Sequence, residues 1–154
     1  MKKDNHCHNH QDCIDTAIQK AEAVCFRRRI KLTQLRKNIL KIIWESHVPL
    51  KAYDILERLK IEDKSAKPIT IYRILDIFLE NRIVHKIESQ NRFLGCSHPG
   101  EDHHCYFIIC KKCNKVQEIC DLDILNDLYS NLKIHKFKIK HLILEILGIC
   151  SSCA

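Results

Sequence analysis

Two cysteine pairs, Cys110-Lys-Lys-Cys113 and Cys150-Ser-Ser-Cys153, are the residues of this chain whose types and spacing most clearly allow chemistry. Two thiolates separated by two residues grip one metal ion from a tight turn, and two such turns complete the tetrahedral four-sulfur shell of structural zinc. Residues 114 to 149 lie between the pairs, more than a zinc ribbon uses, so they must fold into a unit that returns the second pair to the first. The competing chemistry is two disulfides or a redox Cys-x-x-Cys, and both spacing and compartment favour zinc over it. A second concentration of ligands, His6, Cys7, His8, His10 and Cys13, crowds a polar head. It is read either as an extra metal site or as incidental residues in a flexible tail. Cys25 and Cys120 sit among apolar neighbours and are expected in the core.

Composition limits what can position these groups. The chain has 154 residues, 45% of them apolar, enough for one domain or two small ones. Three Gly and three Pro leave little room for long linkers or for a turn-rich all-β fold, so helix should dominate. No run of 18 apolar residues exists and the first residues carry no apolar signal core. The expected location is the cytoplasm, with most of the ten Cys present as thiols or metal ligands. Charge is segregated: residues 1–92 carry 19 Lys/Arg against 12 Asp/Glu, and residues 93–154 carry 7 against 7. A polyanion-binding module joined to a neutral one fits this split, as does a merely solvated basic face.

The pattern of apolar residues supplies the elements. Ile14, Ala17, Ile18, Ala21, Val24 and Cys25 form one helical stripe, closed by the cationic run Arg27-Arg28-Arg29. Thr33 can cap a second helix with Leu35, Ile39, Leu40, Ile42, Ile43 and Trp44 inward. A third helix spans about Lys51 to Lys60. Pro68 opens a fourth through Ile71, Tyr72, Ile74, Leu75 and Phe78, in which Tyr72 falls with the inward set. Two β-prone runs, 83–88 and 92–94, read as a hairpin. Helices followed by a hairpin are the order of a winged helix-turn-helix, whose last helix enters the DNA major groove. Gly95 to Asp102 resembles a hinge. Beyond it come strands at 106–110 and 116–119, a helix capped by Asp121 or Asp123, and a long β-rich stretch from Phe137 to Ile149. The apolar residues on both faces of that last stretch call for a second copy of the domain to cover them.

The motifs Arg29-Ile-Lys-Leu-Thr33, Ala52-Tyr-Asp54, Ala66-Lys-Pro-Ile-Thr-Ile-Tyr-Arg-Ile-Leu-Asp76 and Val84-His-Lys-Ile-Glu88, followed by the two Cys pairs, resemble the ferric uptake regulator family, and within it the zinc-sensing subclass. The likeness covers nearly everything from about residue 14 onward. It implies an α+β chain: a tail at 1–13, a winged-helix DNA-binding domain at 14–94, a hinge with metal ligands at 95–104, and a small α/β dimerisation domain with a zinc knuckle at 105–154. It further implies a cytoplasmic homodimeric repressor, not an enzyme, that binds AT-rich palindromic operator DNA when loaded with zinc, two ions per subunit. Carried over by position, Cys110, Cys113, Cys150 and Cys153 match the structural zinc site. His85, Cys96, His103 and Glu118 match the regulatory one. Tyr53 and Arg73 match DNA-contacting positions, and Thr70 and Lys67 are expected to bind DNA with them.

His104 and His141 compete as further ligands, and His103 against His104 is open from sequence. Two departures stand out: Gln34 replaces the proline usual after Thr33, and Asn114 replaces the Gly that commonly follows the first Cys pair, a change that tolerates the left-handed turn at some cost. The thiol of Cys96 argues against a ferrous site. Other readings are an iron- or peroxide-responsive relative, a cytoplasmic zinc-buffering protein and a thiol-disulfide oxidoreductase. The last lacks the βαβ surroundings that such enzymes need.

Overall fold

The computed structural model describes residues 10–46, 48–101, 103–120, 122–136 and 142–154. The expectations on His6, Cys7, His8, Asp121 and His141 fall outside these residues. The chain divides into two compact units, with the break between Gly100 and Glu101, and the secondary structure is mixed α and β.

In the first unit four helices precede a hairpin. Helix α1 (His10–Arg27) begins before the expected Ile14 and buries Ile14, Ala17, Ala21, Val24 and Cys25. Helix α2 (Gln34–Glu45) starts where Thr33 accepts the Arg36 amide at 3.4 Å, which satisfies one of the amides that a helix start leaves orphaned. Helix α3 (Ala52–Leu59) is fixed at its start by the Lys51 amide donating to the Asp54 carboxylate at 2.9 Å. Helix α4 (Pro68–Glu80) opens on its proline, whose missing N–H costs nothing in a first turn. Ile39, Leu40, Ile43, Ile55, Leu56, Leu59, Ile71, Leu75 and Phe78 meet in one core. Strands β1 (Val84–Ile87) and β2 (Arg92–Gly95) pair antiparallel with Val84 opposite Gly95. Their connection is a 3₁₀ turn, Glu88–Gln90, followed by Asn91 in the left-handed region at φ 50°. Leu50 and Phe93 exchange backbone hydrogen bonds at 2.9 and 2.7 Å, which ties the hairpin to the entrance of α3.

One glycine here is dictated by packing. A Cβ at Gly95 would run into the indole ring of Trp44, so the hairpin can lie against α2 only without a side chain. Gly95→Ala should lower unfolding stability by about 1–3 kcal/mol, the usual range for overpacking, visible as a reduced urea midpoint at unchanged m-value.

The second unit is a three-stranded sheet in the order β4-β3-β5, with one helix. Strand β3 (Tyr106–Cys110) pairs antiparallel with β4 (Val116–Ile119), Phe107 opposite Glu118. Helix α5 (Leu122–Ile134) then carries the chain across, and β5 (Glu145–Gly148) returns parallel to β3, with Cys110 opposite Gly148. The expected strand from 137 to 149 is therefore, among the described residues, four residues long. Its position matters more than its length: lying beside β3, it delivers Cys150 to the turn that follows Cys110.

Candidate metal centres and nucleic-acid face

The four cysteines expected to hold one ion come together inside the second unit. Their sulfurs lie within 4.8 Å of one another, and Cys113 Sγ is 3.8 Å from Cys150 Sγ. A zinc ion bound at about 2.3 Å to each of four tetrahedral sulfurs sets them about 3.8 Å apart. That is far longer than a disulfide, near 2.05 Å, so the pair is spaced for an ion. Backbone geometry builds the cage. Asn114 occupies the left-handed region at φ 58° and its amide returns to the Cys110 carbonyl at 2.9 Å, closing the first turn. The Cys153 amide closes the second on the Cys150 carbonyl at 2.9 Å. Between the turns, Lys111 N–H donates to the Gly148 carbonyl at 2.9 Å and Lys112 Nζ to the Cys153 carbonyl at 2.6 Å.

The same amides act on the sulfurs. N–H groups of Cys113 and Cys150, the latter 3.4 Å from Cys110 Sγ, hold the Cys110 thiol down to about 6, so it is a thiolate at neutral pH. Hydrogen bonds to Cys150 and Cys113 push the Cys153 thiol up to about 12. The four sulfurs thus share protons unequally as one coupled group, and a divalent cation displaces the remainder. The donor set fits zinc by type, number and spacing.

A second constellation lies at the start of the unit. His103 Nε2 stands 3.1 Å from Glu118 Oε1, and both side chains are largely shielded from solvent. His103 Nδ1 lies 3.2 Å from the Glu101 carbonyl oxygen, to which it donates as N–H. This outer hydrogen bond sets the ring so that Nε2 aims its remaining valence at the carboxylate. Two acceptor-type atoms face one another, an arrangement that a cation between them satisfies. His104 turns elsewhere: its ring sits 5.4 Å from that of Tyr129 on α5. Neighbouring histidines are therefore divided between a carboxylate and an aromatic ring, a division invisible in the sequence.

Two cysteines border the pair. Cys105 Sγ lies within 4.8 Å of the His103 and Glu118 ligand atoms, and Cys120 Sγ is 3.9 Å from Glu118 Oε1. Desolvation and the Glu118 charge raise the Cys105 thiol to about 12 and the Cys120 thiol to about 11. The expectation that Cys120 belongs to a core is corrected: it is exposed, because the chain leaves the sheet immediately after Ile119. Cys25 is buried as expected. The sequence did hold a signal for Cys120. The hairpin turns about residues 112 and 113, and with Tyr106 opposite Ile119 the next rung outward is Cys105 and Cys120.

The remaining candidates, His85 and Cys96, sit in the first unit on the β1–β2 hairpin. His85 pairs with Leu94, and Cys96 follows β2 with its amide donating to the Ile83 carbonyl at 3.1 Å. Side chains alternate along a strand, so His85 and Cys96 share one face of the hairpin, two rungs apart. His85 is half-buried and Cys96 fully buried.

The nucleic-acid candidates also lie in the first unit. At about 100° per residue, Ile71, Ile74, Leu75 and Phe78 define the buried stripe of α4, which leaves Ile69, Tyr72, Arg73 and Asp76 facing out. Tyr72 is 45% exposed, which corrects its assignment to the inward set: it falls about 60° off the stripe. Tyr53, in the first turn of α3, is 61% exposed. Both tyrosines line a cleft of about 280 Å³ with Lys51, Ala52, Gln90, Asn91 and Phe93, which joins α3, α4 and the hairpin. Lys67 and Arg73 are exposed and Thr70 half-exposed. A helix displaying a polar, partly cationic face beside a β-hairpin is what a major groove admits.

Comparison with known proteins decides what this combination belongs to. The profile of the Ferric uptake regulator family matches residues 27–147. The chain belongs to the ferric uptake regulator family. Its relatives include the zinc uptake regulation protein of Escherichia coli (strain K12), 31% identical over 137 residues, which span 88% of this chain and 80% of that protein. Among solved structures, a zinc uptake regulator complexed with zinc and DNA superposes with a TM-score of 0.85 at 30% identity, covering 91% of this chain and 94% of its own. Holo XcZur superposes with a TM-score of 0.81 at 34% identity, covering 90% and 97%. Members of this family are regulators and not enzymes. Among the described residues no helix is long and apolar enough to cross a membrane.

Proposed function

We propose that this chain is a zinc-responsive transcriptional repressor that binds operator DNA as a homodimer in the cytoplasm. Two zinc ions per subunit serve it. One, held by Cys110, Cys113, Cys150 and Cys153, makes the second unit fold. The other is regulatory: His103 and Glu118 hold it from the second unit, His85 and Cys96 from the first. The observation that carries this reading is the His103–Glu118 pair, 3.1 Å apart and fixed from behind by the Glu101 carbonyl, in a chain that also presents a winged-helix unit.

The physical logic is a coupling between two sites. An ion that draws donors from both units fixes the angle between them. In a dimer that angle sets the spacing of two α4 helices, and DNA half-sites accept only certain spacings. A mixed nitrogen, sulfur and oxygen shell with a thiolate suits Zn²⁺ better than Fe²⁺. The second copy is supported by apolar side chains left in solvent on the second unit. Ile108 and Ile146, adjacent in the β3–β5 ladder, are 41% and 45% exposed, and Leu147 and Ile149 are exposed beside them. We assign the target as AT-rich palindromic DNA upstream of zinc uptake genes, read by Arg73 and Tyr53 with Lys67 and Thr70 on the backbone.

Two outcomes test the DNA face and the metal. Arg73→Ala should weaken operator binding by about 1–3 kcal/mol and relax sequence choice, since a guanidinium on a base edge discriminates between bases. Equal losses on operator and random duplexes, followed by fluorescence anisotropy, would contradict base reading. With metal-stripped protein, zinc should restore operator binding at concentrations where ferrous iron does not.

A further inference from the structure

The second unit carries more donors around His103 and Glu118 than a shared site needs from it. Within that unit alone, His103 Nε2 and Glu118 Oε1 are 3.1 Å apart, Cys120 Sγ is 3.9 Å from the same oxygen, and Cys105 Sγ lies within 4.8 Å of both ligand atoms. A tetrahedral zinc ion places nitrogen and oxygen donors about 3.4 Å apart and sulfur and oxygen donors about 3.6 Å apart. The His103–Glu118 and Cys120–Glu118 separations each need an adjustment of only a few tenths of an ångström. Because Cys105 and Cys120 occupy the rung beyond Tyr106 and Ile119, the hairpin register sets both thiols on the face of the hairpin that carries Glu118.

We infer that the second unit by itself forms a landing site for zinc, in which His103, Glu118 and the thiol of Cys105 or Cys120 hold the ion before the first unit supplies its donors. This rests on the regulatory-zinc reading above and adds an order of events to it. Three protein donors with an open fourth position make an exchangeable site, whereas four make a closed one. Loading then has two steps. The ion is captured by the second unit alone, and His85 and Cys96 afterwards replace the open position and the landing thiol. Zinc capture therefore does not wait for the two units to come together, and only the second step changes DNA affinity.

The test uses full-length protein that retains its four-sulfur zinc, with Co²⁺ as the probe ion. The variant His85→Ala/Cys96→Ser removes both donors of the first unit. It should still take up one Co²⁺ per chain beyond the structural zinc, at least about tenfold more weakly than the unmodified chain. Its spectrum should show a near-ultraviolet sulfur-to-cobalt charge-transfer band while zinc analysis still gives one zinc per chain, and the band should persist when Cys7 and Cys13 of the head are also replaced by serine. Adding Cys105→Ser and Cys120→Ser should abolish that band, and the two single substitutions tell which thiol supplies it. Circular dichroism and the retained structural zinc confirm that each variant is folded. No Co²⁺ uptake by His85→Ala/Cys96→Ser, or uptake without the sulfur band, overturns the landing site. Failure of the underlying reading shows differently: the unmodified chain would then take up no second ion at all.

Discussion

Cys110→Ser should unfold the second unit while leaving the first intact. The second unit has roughly 50 residues and, among the described residues, buries few large side chains: Tyr106, Phe107, Ile109 and Leu125 beside Cys110 itself. A domain this small gains too little from its core to fold alone and commonly depends on a metal or disulfides. Structural zinc contributes about 10–16 kcal/mol of apparent binding free energy, as much as the whole stability of an ordinary domain of about 5–15 kcal/mol. A serine oxygen is a poor replacement for a thiolate, and Cys110 is the sulfur whose thiol the backbone amides of Cys113, Cys150 and Lys112 hold down. The variant should lose one zinc per chain. Limited proteolysis should degrade the region beyond residue 101, and thermal melting should retain the transition of the helical first unit. A variant that melts like the unmodified chain and keeps its zinc would show that the four sulfurs do not hold the unit together. The first unit should be indifferent, since Ile39, Leu40, Ile55, Leu75 and Phe78 form their own core.

The second large effect belongs to Glu118. Glu118→Gln keeps the shape of the side chain and removes the charge that faces His103 Nε2, so folding should be preserved. An amide oxygen is a much weaker ligand than a carboxylate. The loss of the regulatory ion should exceed the 10–100-fold typical of outer-shell substitutions, and zinc-dependent DNA binding should fall with it. The four-sulfur zinc should be unaffected. This separation distinguishes the two centres, because Cys110→Ser removes the fold and Glu118→Gln removes only the response. The Glu101 carbonyl fixes His103 through backbone, so no side-chain substitution at Glu101 should reproduce the loss.

How much of this was legible beforehand varied with the kind of signal. Local chemistry was readable. Thr33 caps α2, Pro68 opens α4, Asn114 takes the left-handed turn, and the paired cysteines meet. Each depends on residues close in sequence, or on a metal that leaves few alternatives. What could not be read were choices made by tertiary packing. Tyr72 lies at the border of the α4 stripe, where a rotation of about 60° moves a side chain from core to surface. His103 and His104 are adjacent, and their roles are separated by groups distant in sequence, Glu118 facing His103 and Tyr129 on α5 facing His104. Cys120 has apolar neighbours in sequence, yet the end of β4 leaves it in solvent beside Glu118. Among the described residues the last strand pairs with β3 only over Glu145–Gly148, although Ile and Leu continue on either side, because apolar content alone does not mark where a ladder ends.

In the proposed mechanism DNA affinity is set by the second zinc ion and not by the first. The most direct measurement is anisotropy of a labelled AT-rich palindrome with protein carrying only its four-sulfur zinc, while free zinc is raised through a chelator buffer and bound zinc is counted in the same samples. Operator binding should be weak at one zinc per chain and rise in step with the second equivalent, by the 5–150-fold typical of coupled sites. Full operator affinity already present at one zinc per chain, unchanged as the second ion binds, would contradict it.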